Sequence, residues 1–161
     1  TSAPNEGSPL RVCRINCVIV PFTSASQLDG VPSSLISDMA PQAAQPKTVN
    51  SGVYTDAQAT RGEDAYKKDC GSCHGAGLAG DGFAPGLAGS EFLSNWNGTT
   101  VGDLLDRIRI SMPPGNPSSV PTDAKADIIA HVLKTNKYPA GNTEMGKDLE
   151  VLKQIKIELP K

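Results

Sequence analysis

The sequence predicts an all-α domain of about four helices behind an extended N-terminal arm, and three observations lead there. Residues 1–53 hold six of the 13 prolines, set among "TSAS", "PSS" and "PQAAQP". From Tyr54 onward, apolar residues recur at steps of three and four between Gly/Pro loops. No run in that second part alternates with the period of a strand. The chain therefore divides into an arm at 1–53 and a globular part at 54–161.

The arm is too rich in Pro, Ser, Ala and Gln to bury the apolar surface that would offset its ordering entropy. Its exception is "RVCRINCVIVPF" (11–22), which is apolar enough to dock as a strand or loop. In the globular part, Thr55-Asp56-Ala57-Gln58 has the spacing of a capping box that opens a helix. Ala59, Gly62, Tyr66, Cys70 and Cys73 then share one face of it. Thr100 to Asp103 opens a second helix with Leu104, Leu105 and Ile108 inward; it stops near Met112 because Pro113 and Pro114 follow. A third begins at Thr122, carries Ile128, Ile129, Val132 and Leu133 on one side, and ends before Pro139. A short fourth, residues 148–157, repeats the pattern with Leu149, Leu152 and Ile155.

Composition narrows the function. The formal net charge is -2 with both signs mixed along the chain, so no basic stripe invites nucleic acid. The longest apolar run near the N-terminus, "CVIVPF", is far short of the ~20 residues that span a bilayer. Nor does the start have the basic, apolar and small-residue regions of a signal peptide, so any export signal is expected to have been removed. Aromatic residues make up only 4%, which suggests another large apolar body, such as a porphyrin, at the centre of the core.

The chemistry concentrates in "YKKDCGSCHGAGLAGDG" (66–82). Cys70-Gly71-Ser72-Cys73-His74 has the C-x-x-C-H pattern of covalent haem attachment. Two thiols one helical turn apart reach the two vinyl groups of one porphyrin, and the imidazole that follows supplies the proximal iron ligand. A thioredoxin-like dithiol would want a βαβ context, which is missing. A zinc site built from Cys13, Cys17, Cys70 and Cys73 is the stronger rival, though it leaves His74 idle. Chance is the third.

A six-coordinate haem needs a second axial ligand, and the chain offers Met39, Met112, Met145 and His131. Met39 lies in the arm, Met145 in the polar turn "GNTEMGKD", and His131 inside the third helix, where a structural role is the commoner one. Met112 opens a loop stiffened by Pro113, Pro114, Pro117 and Pro121, and prolines lower the entropic cost of holding a sulfur over iron. The plainer reading of Met112 is a core-filling side chain. His/Met ligation saturates the iron, which suits an electron carrier rather than an oxygenase.

With these residues in view, 54–161 resembles a class I, mono-haem cytochrome c of the small bacterial type. The helix with Gly62 and Tyr66 resembles the family's N-terminal helix, which crosses the C-terminal one through a small residue and an aromatic. "APGLAG" (84–89) resembles the family's Pro-x-Leu-x-Gly segment. The resemblance implies that the Pro85 carbonyl accepts from His74 Nδ1–H and that Leu87 packs on the haem edge. Met112-Pro113 resembles the sixth-ligand loop. The family also suggests that the Trp96 ring N–H reaches a haem propionate, the plainer reading being a packing aromatic. Arg107 and Arg109 are further propionate candidates, two apart on a helix and so facing different ways; for each the plainer reading is a solvated face. "TVGDLLDRIRISMPPGNP" and the tail look most like cytochromes c that accompany quinoprotein (PQQ-dependent) dehydrogenases.

The resemblance thus implies a periplasmic or otherwise exported electron carrier of a respiratory chain, not an enzyme, with one covalent haem c. Its donor would be a dehydrogenase and its acceptor an oxidase or another cytochrome. Two other readings stand beside it: a haem subunit docked permanently in a redox complex through its arm, and an open-site haem enzyme or sensor in which Met112 does not bind. Cys13 and Cys17 have no part in haem attachment, and a disulfide between them or to a partner is open.

Overall fold

The structure is a computed structural model, and it describes residues 47–161. Cys13, Cys17, Met39 and the stretch 11–22 lie outside the described residues, and with them the four-cysteine zinc site and the arm's docking role. The described part is all-helical: α1 (Asp56–Asp69), α2 (Gly71–His74), α3 (Gly89–Trp96), α4 (Val101–Ser111), α5 (Thr122–Thr135) and α6 (Leu149–Leu152).

The helix starts follow from their caps. The Thr55 hydroxyl accepts from the Gln58 amide at 3.1 Å and so satisfies one orphan donor of α1. The return half of the expected box is absent. Gln58 is buried and turns away: its amide donates to Met145 O at 2.8 Å, and its carbonyl accepts from Met145 N at 2.8 Å. Met145 therefore lies in the core rather than in a polar turn. At α4 the box is complete, with Asp103 N on Thr100 Oγ1 (3.1 Å) and Thr100 N on Asp103 Oδ2 (3.0 Å). The Thr100 hydroxyl, which itself donates to Asp103 Oδ2 at 2.6 Å, and then the Thr100 amide hold the Asp103 carboxyl below its ordinary range.

Helices α1 and α5 form the principal contact of the core, and Gly62 makes it possible. A Cβ placed there would lie 1.8 Å from the Asp127 carbonyl oxygen, so the two backbones touch where any side chain would part them. Tyr66, one turn further along α1, is fully buried; its hydroxyl donates to Gly75 O at 2.6 Å and its ring lies 5.5 Å from that of His131. Arg61 reaches across the same crossing to Asp127 and to Glu144. This arrangement is the small-residue-plus-aromatic crossing expected from the sequence.

Three sequence expectations change. The short helix α3 has too few apolar positions for a periodic signal and was not expected. The fourth helix ends at Leu152 instead of 157, because residues 155–157 run extended between two other segments: Val49 N donates to Lys156 O (2.9 Å), Lys156 N to Lys47 O (2.9 Å), Val101 N to Ile155 O (2.9 Å) and Ile157 N to Thr99 O (3.0 Å). The alternation Ile155-Lys156-Ile157 is the strand-like pattern that serves this pairing, with Ile155 and Ile157 buried. The same bonds move the domain boundary. Residues 47–53 belong to the packed body, with Val49 fully buried, so the division at 53/54 falls inside it.

The crossing is open to test. Ala is a better helix former than Gly by ~1 kcal/mol, yet at 62 its methyl meets backbone that cannot rotate away. Gly62→Ala is expected to destabilise the holoprotein by at least about 2 kcal/mol in guanidinium unfolding followed by far-UV circular dichroism. An unchanged or raised midpoint would contradict the close crossing.

Candidate functional site

Where α1 ends, the chain makes one further turn, α2, and this short turn carries the chemistry. Cys70 N still donates to Tyr66 O (2.9 Å), and His74 N donates to Cys70 O (3.0 Å), so the turn from Cys70 to His74 is hydrogen-bonded. Cys70 is half-buried and Cys73 exposed, and the two are not joined in a disulfide. Burial, with Asp69 adding, pushes the Cys70 thiol up to about 11.

The chain then folds back to orient His74, which is only 8% exposed. Its Nδ1 lies 2.8 Å from the Pro85 carbonyl. A carbonyl can only accept, so Nδ1 carries the proton and Nε2 of the neutral ring keeps a lone pair for a ligand. Holding Pro85 there takes a compact loop. Gly80 N donates to His74 O (2.9 Å) and Leu87 N to Leu78 O (2.8 Å). Gly80, at φ +77°, would place a Cβ 2.7 Å from Ala84 O, so glycine is required. Leu78 is buried at φ 60°, a left-handed conformation costly for leucine and held by those bonds. Asp81 Oδ1 accepts from Phe83 N (2.9 Å) and Ala84 N (3.0 Å), which lowers its carboxyl pKa.

Asn136, just past α5, anchors the loop from the other side. It is buried, its Nδ2 donates to Leu87 O (2.9 Å) and Val132 O (2.8 Å), and its Oδ1 accepts from Gly89 N (2.9 Å). All of its polar capacity is spent on backbone, as burial requires.

Beside α2 lies a cleft continuous with solvent. Cys70, Cys73, His74 and Pro85 form one part of its lining. Ile108, Met112, Pro113 and Pro114 come from the end of α4 and the loop after it, and Val120, Lys125 and Ile128 complete the wall. The lining is mostly apolar, with two thiols, one imidazole and one thioether: the donor set and surroundings of a porphyrin bound through its edge and its iron. The residues fit such a group.

Residues 57–132 match the family model described as "Cytochrome C oxidase, cbb3-type, subunit III". That match supports a class I c-type cytochrome domain over those residues. A search of curated proteins and one of solved structures returned no match. A domain of that family implies covalently bound haem c and supports electron transfer through it, and the all-helical fold agrees.

The expected site residues distribute unevenly. Cys70, Cys73, His74, Pro85 and Met112 share the cleft. Leu87 does not line it; the side chain packs against the core while its backbone serves the loop. Trp96 is likewise a partly buried core aromatic away from the lining, which is its plainer reading. Arg109 is exposed and paired with Asp106 at 2.7 Å, and Arg107 is exposed; neither side chain lines the cleft. His131 packs beside Tyr66, and burial lowers its imidazole pKa.

The sequence reading missed Asn136 and Lys125. Lys125 is 2% exposed and lines the cleft, and burial, reinforced by Arg109, pushes its ammonium below the usual lysine range. A signal was there: Lys125 stands three and four residues before Ile128 and Ile129, on the apolar face of its helix. A charge on that face announces a polar partner in the core.

Because Asn136 satisfies three backbone groups, Asn136→Ala is expected to cost about 2–4 kcal/mol of holoprotein stability, each lost buried bond being worth ~1 kcal/mol or more. Thermal unfolding of the holoprotein checks this. A loss below ~0.5 kcal/mol would show that the 87–89 segment holds without it.

Proposed function

We propose that the cytochrome is an exported, periplasmic one-electron carrier whose single haem c is anchored by Cys70 and Cys73 and ligated by His74 and Met112. The observation that carries this reading is the His74–Pro85 hydrogen bond, which orients a buried imidazole in a cleft shared with both thiols and the Met112 side chain. When bound, haem c supplies a one-electron Fe(III)/Fe(II) couple. The protein's part is to hold and insulate. Pro85 O keeps the proton on Nδ1 and raises the basicity of His74. Ile108, Val120 and Ile128 keep water from one side of the cleft, and Pro113 and Pro114 stiffen the segment bearing Met112. A sulfur and an imidazole together would fill both axial positions of the iron and leave none open to a substrate, which favours a carrier over an enzyme.

The donor we propose is a dehydrogenase of the quinoprotein class, from the resemblance of the 100–117 segment and the tail, with an oxidase or another cytochrome as acceptor. A second reading has specific support. The matching family is described as an oxidase subunit, so a haem domain held permanently in a larger redox complex through residues upstream of 47 is the alternative. A truncation that tests it must spare Val49, which is part of the core. If the chain lacking 1–46 joins its complex as well as the full chain, the docking arm is wrong.

Visible spectroscopy tests the ligand assignment. Oxidised holoprotein is expected to show the far-red Met–Fe(III) charge-transfer band, and Met112→Ala to lose it and gain carbon monoxide binding when reduced. Cys70→Ala and Cys73→Ala are each expected to leave a single thioether, seen as a shifted haemochrome in denaturing alkaline pyridine. A Met112→Ala protein with an unaltered far-red band would remove Met112 from the iron.

A further inference from the structure

One charged side chain of the cleft that the carrier chemistry does not use is Lys125. It is the only lysine or arginine among the described residues that is fully buried, and it forms no salt bridge among them. Its ammonium instead donates to two backbone carbonyls, Pro117 O at 2.6 Å and Arg109 O at 3.4 Å. These acceptors bracket Met112: Arg109 lies in the last turn of α4, and Pro117 opens the 3-10 turn Pro117–Ser119 after the proline-rich loop.

Each acceptor has a reason to take a cation. The Arg109 carbonyl is one of the last four of α4, which have no partner inside the helix and sit at its negative end. Pro117 O is met at a short distance by a charged donor, the stronger kind of hydrogen bond. On the same face of α5, Ile128, Ile129 and Val132 are buried by packing alone. An apolar side chain at 125 would be buried as they are, without the desolvation cost of an ammonium. What the ammonium adds is a tie from rigid α5 to both flanks of the segment that carries Met112.

We propose that Lys125 is a positioning residue for Met112: from α5 it clamps the end of α4 to the Pro117 turn and so holds residues 109–117 closed over the cleft. The clamp rests on Met112 being an iron ligand, as proposed above. It would act on the ligand's escape, since a segment tied at Arg109 and Pro117 is hindered from swinging out with the thioether. The same fixed charge lines the haem cleft and disfavours the more positive oxidised state, so it also raises the reduction potential.

The test is displacement of the methionine by imidazole in oxidised holoprotein, read as loss of the far-red band, together with the midpoint potential. Lys125→Met is expected to reach half-displacement at about tenfold less imidazole, equivalent to about 1.4 kcal/mol, and to have a lower potential. Lys125→Arg keeps charge and donors and is expected to lie nearer the wild type in both. A Lys125→Met protein whose half-displacement stays within twofold of wild type overturns the clamp, even if its global stability in guanidinium falls, because a purely structural lysine would act there alone. Should Lys125→Met give no holoprotein, Lys125→Gln, uncharged and shorter, is held to the same criterion. A wild type without the far-red band would instead sink the Met112 assignment, and the clamp with it, before any variant is compared.

Discussion

The approach of α1 to α5 at Gly62 is the constraint on which the site depends. Backbone lies on backbone there, with no room for a Cβ, and that contact fixes both helices that build the cleft. Helix α1 delivers Cys70 at its end and leads into α2 with Cys73 and His74. Helix α5 presents Lys125 and Ile128 to the cleft and carries Asn136 at its end. A shift of that crossing would move the thiols relative to the opposite wall, and a covalently anchored group tolerates little of it. Tyr66 reinforces the arrangement by filling the space beside the crossing while donating to Gly75, the residue directly after His74.

Buried polar groups then transmit the crossing into the loops. Gln58 holds Met145 by its backbone amide and carbonyl, Asn136 holds Leu87 and Gly89, and Lys125 holds Arg109 and Pro117. Each stands on α1, on α5 or at its end, and each spends its hydrogen bonds on backbone, at least one of them in an irregular segment. This division suits a domain with few aromatics. Three tyrosines and Phe92 supply the large buried rings, and the loops are fixed by hydrogen bonds that would be costly to leave unmade.

Much of this was legible in the sequence, for definite reasons. The C-x-x-C-H pattern, the shared helix face of Gly62 and Tyr66 and the Pro-rich loop after Met112 are local signals that helix and proline stereochemistry explain, whereas the crossing itself came from the family resemblance. The His74–Pro85 bond came from the resemblance of "APGLAG" and not from any spacing rule, since the two residues are brought together by a loop that turns on Gly80 and Leu78. What failed was non-local. Ile155 reads as part of a helix face, and Ile157 as that helix's end, until the pairing partners of this segment, 47–49 and 99–101, are known, and Val49 read as arm for the same reason. Trp96 and Arg109 were placed by analogy of residue type, and their packing, against the core and against Asp106, depends on helix orientations that one sequence does not display.

The central claim is that one haem is held between His74 and Met112, with His74 fixed by Pro85. Proton NMR of the reduced holoprotein addresses both sides at once. Low-spin iron would be diamagnetic, and the porphyrin ring current would move the Met112 methyl to a three-proton signal far upfield of all others. On the opposite side, a slowly exchanging His74 Nδ1–H would show nuclear Overhauser contacts to Pro85 and Gly86. A paramagnetic, high-spin spectrum without the upfield methyl, or an Nδ1 proton in free exchange with solvent, would contradict the account.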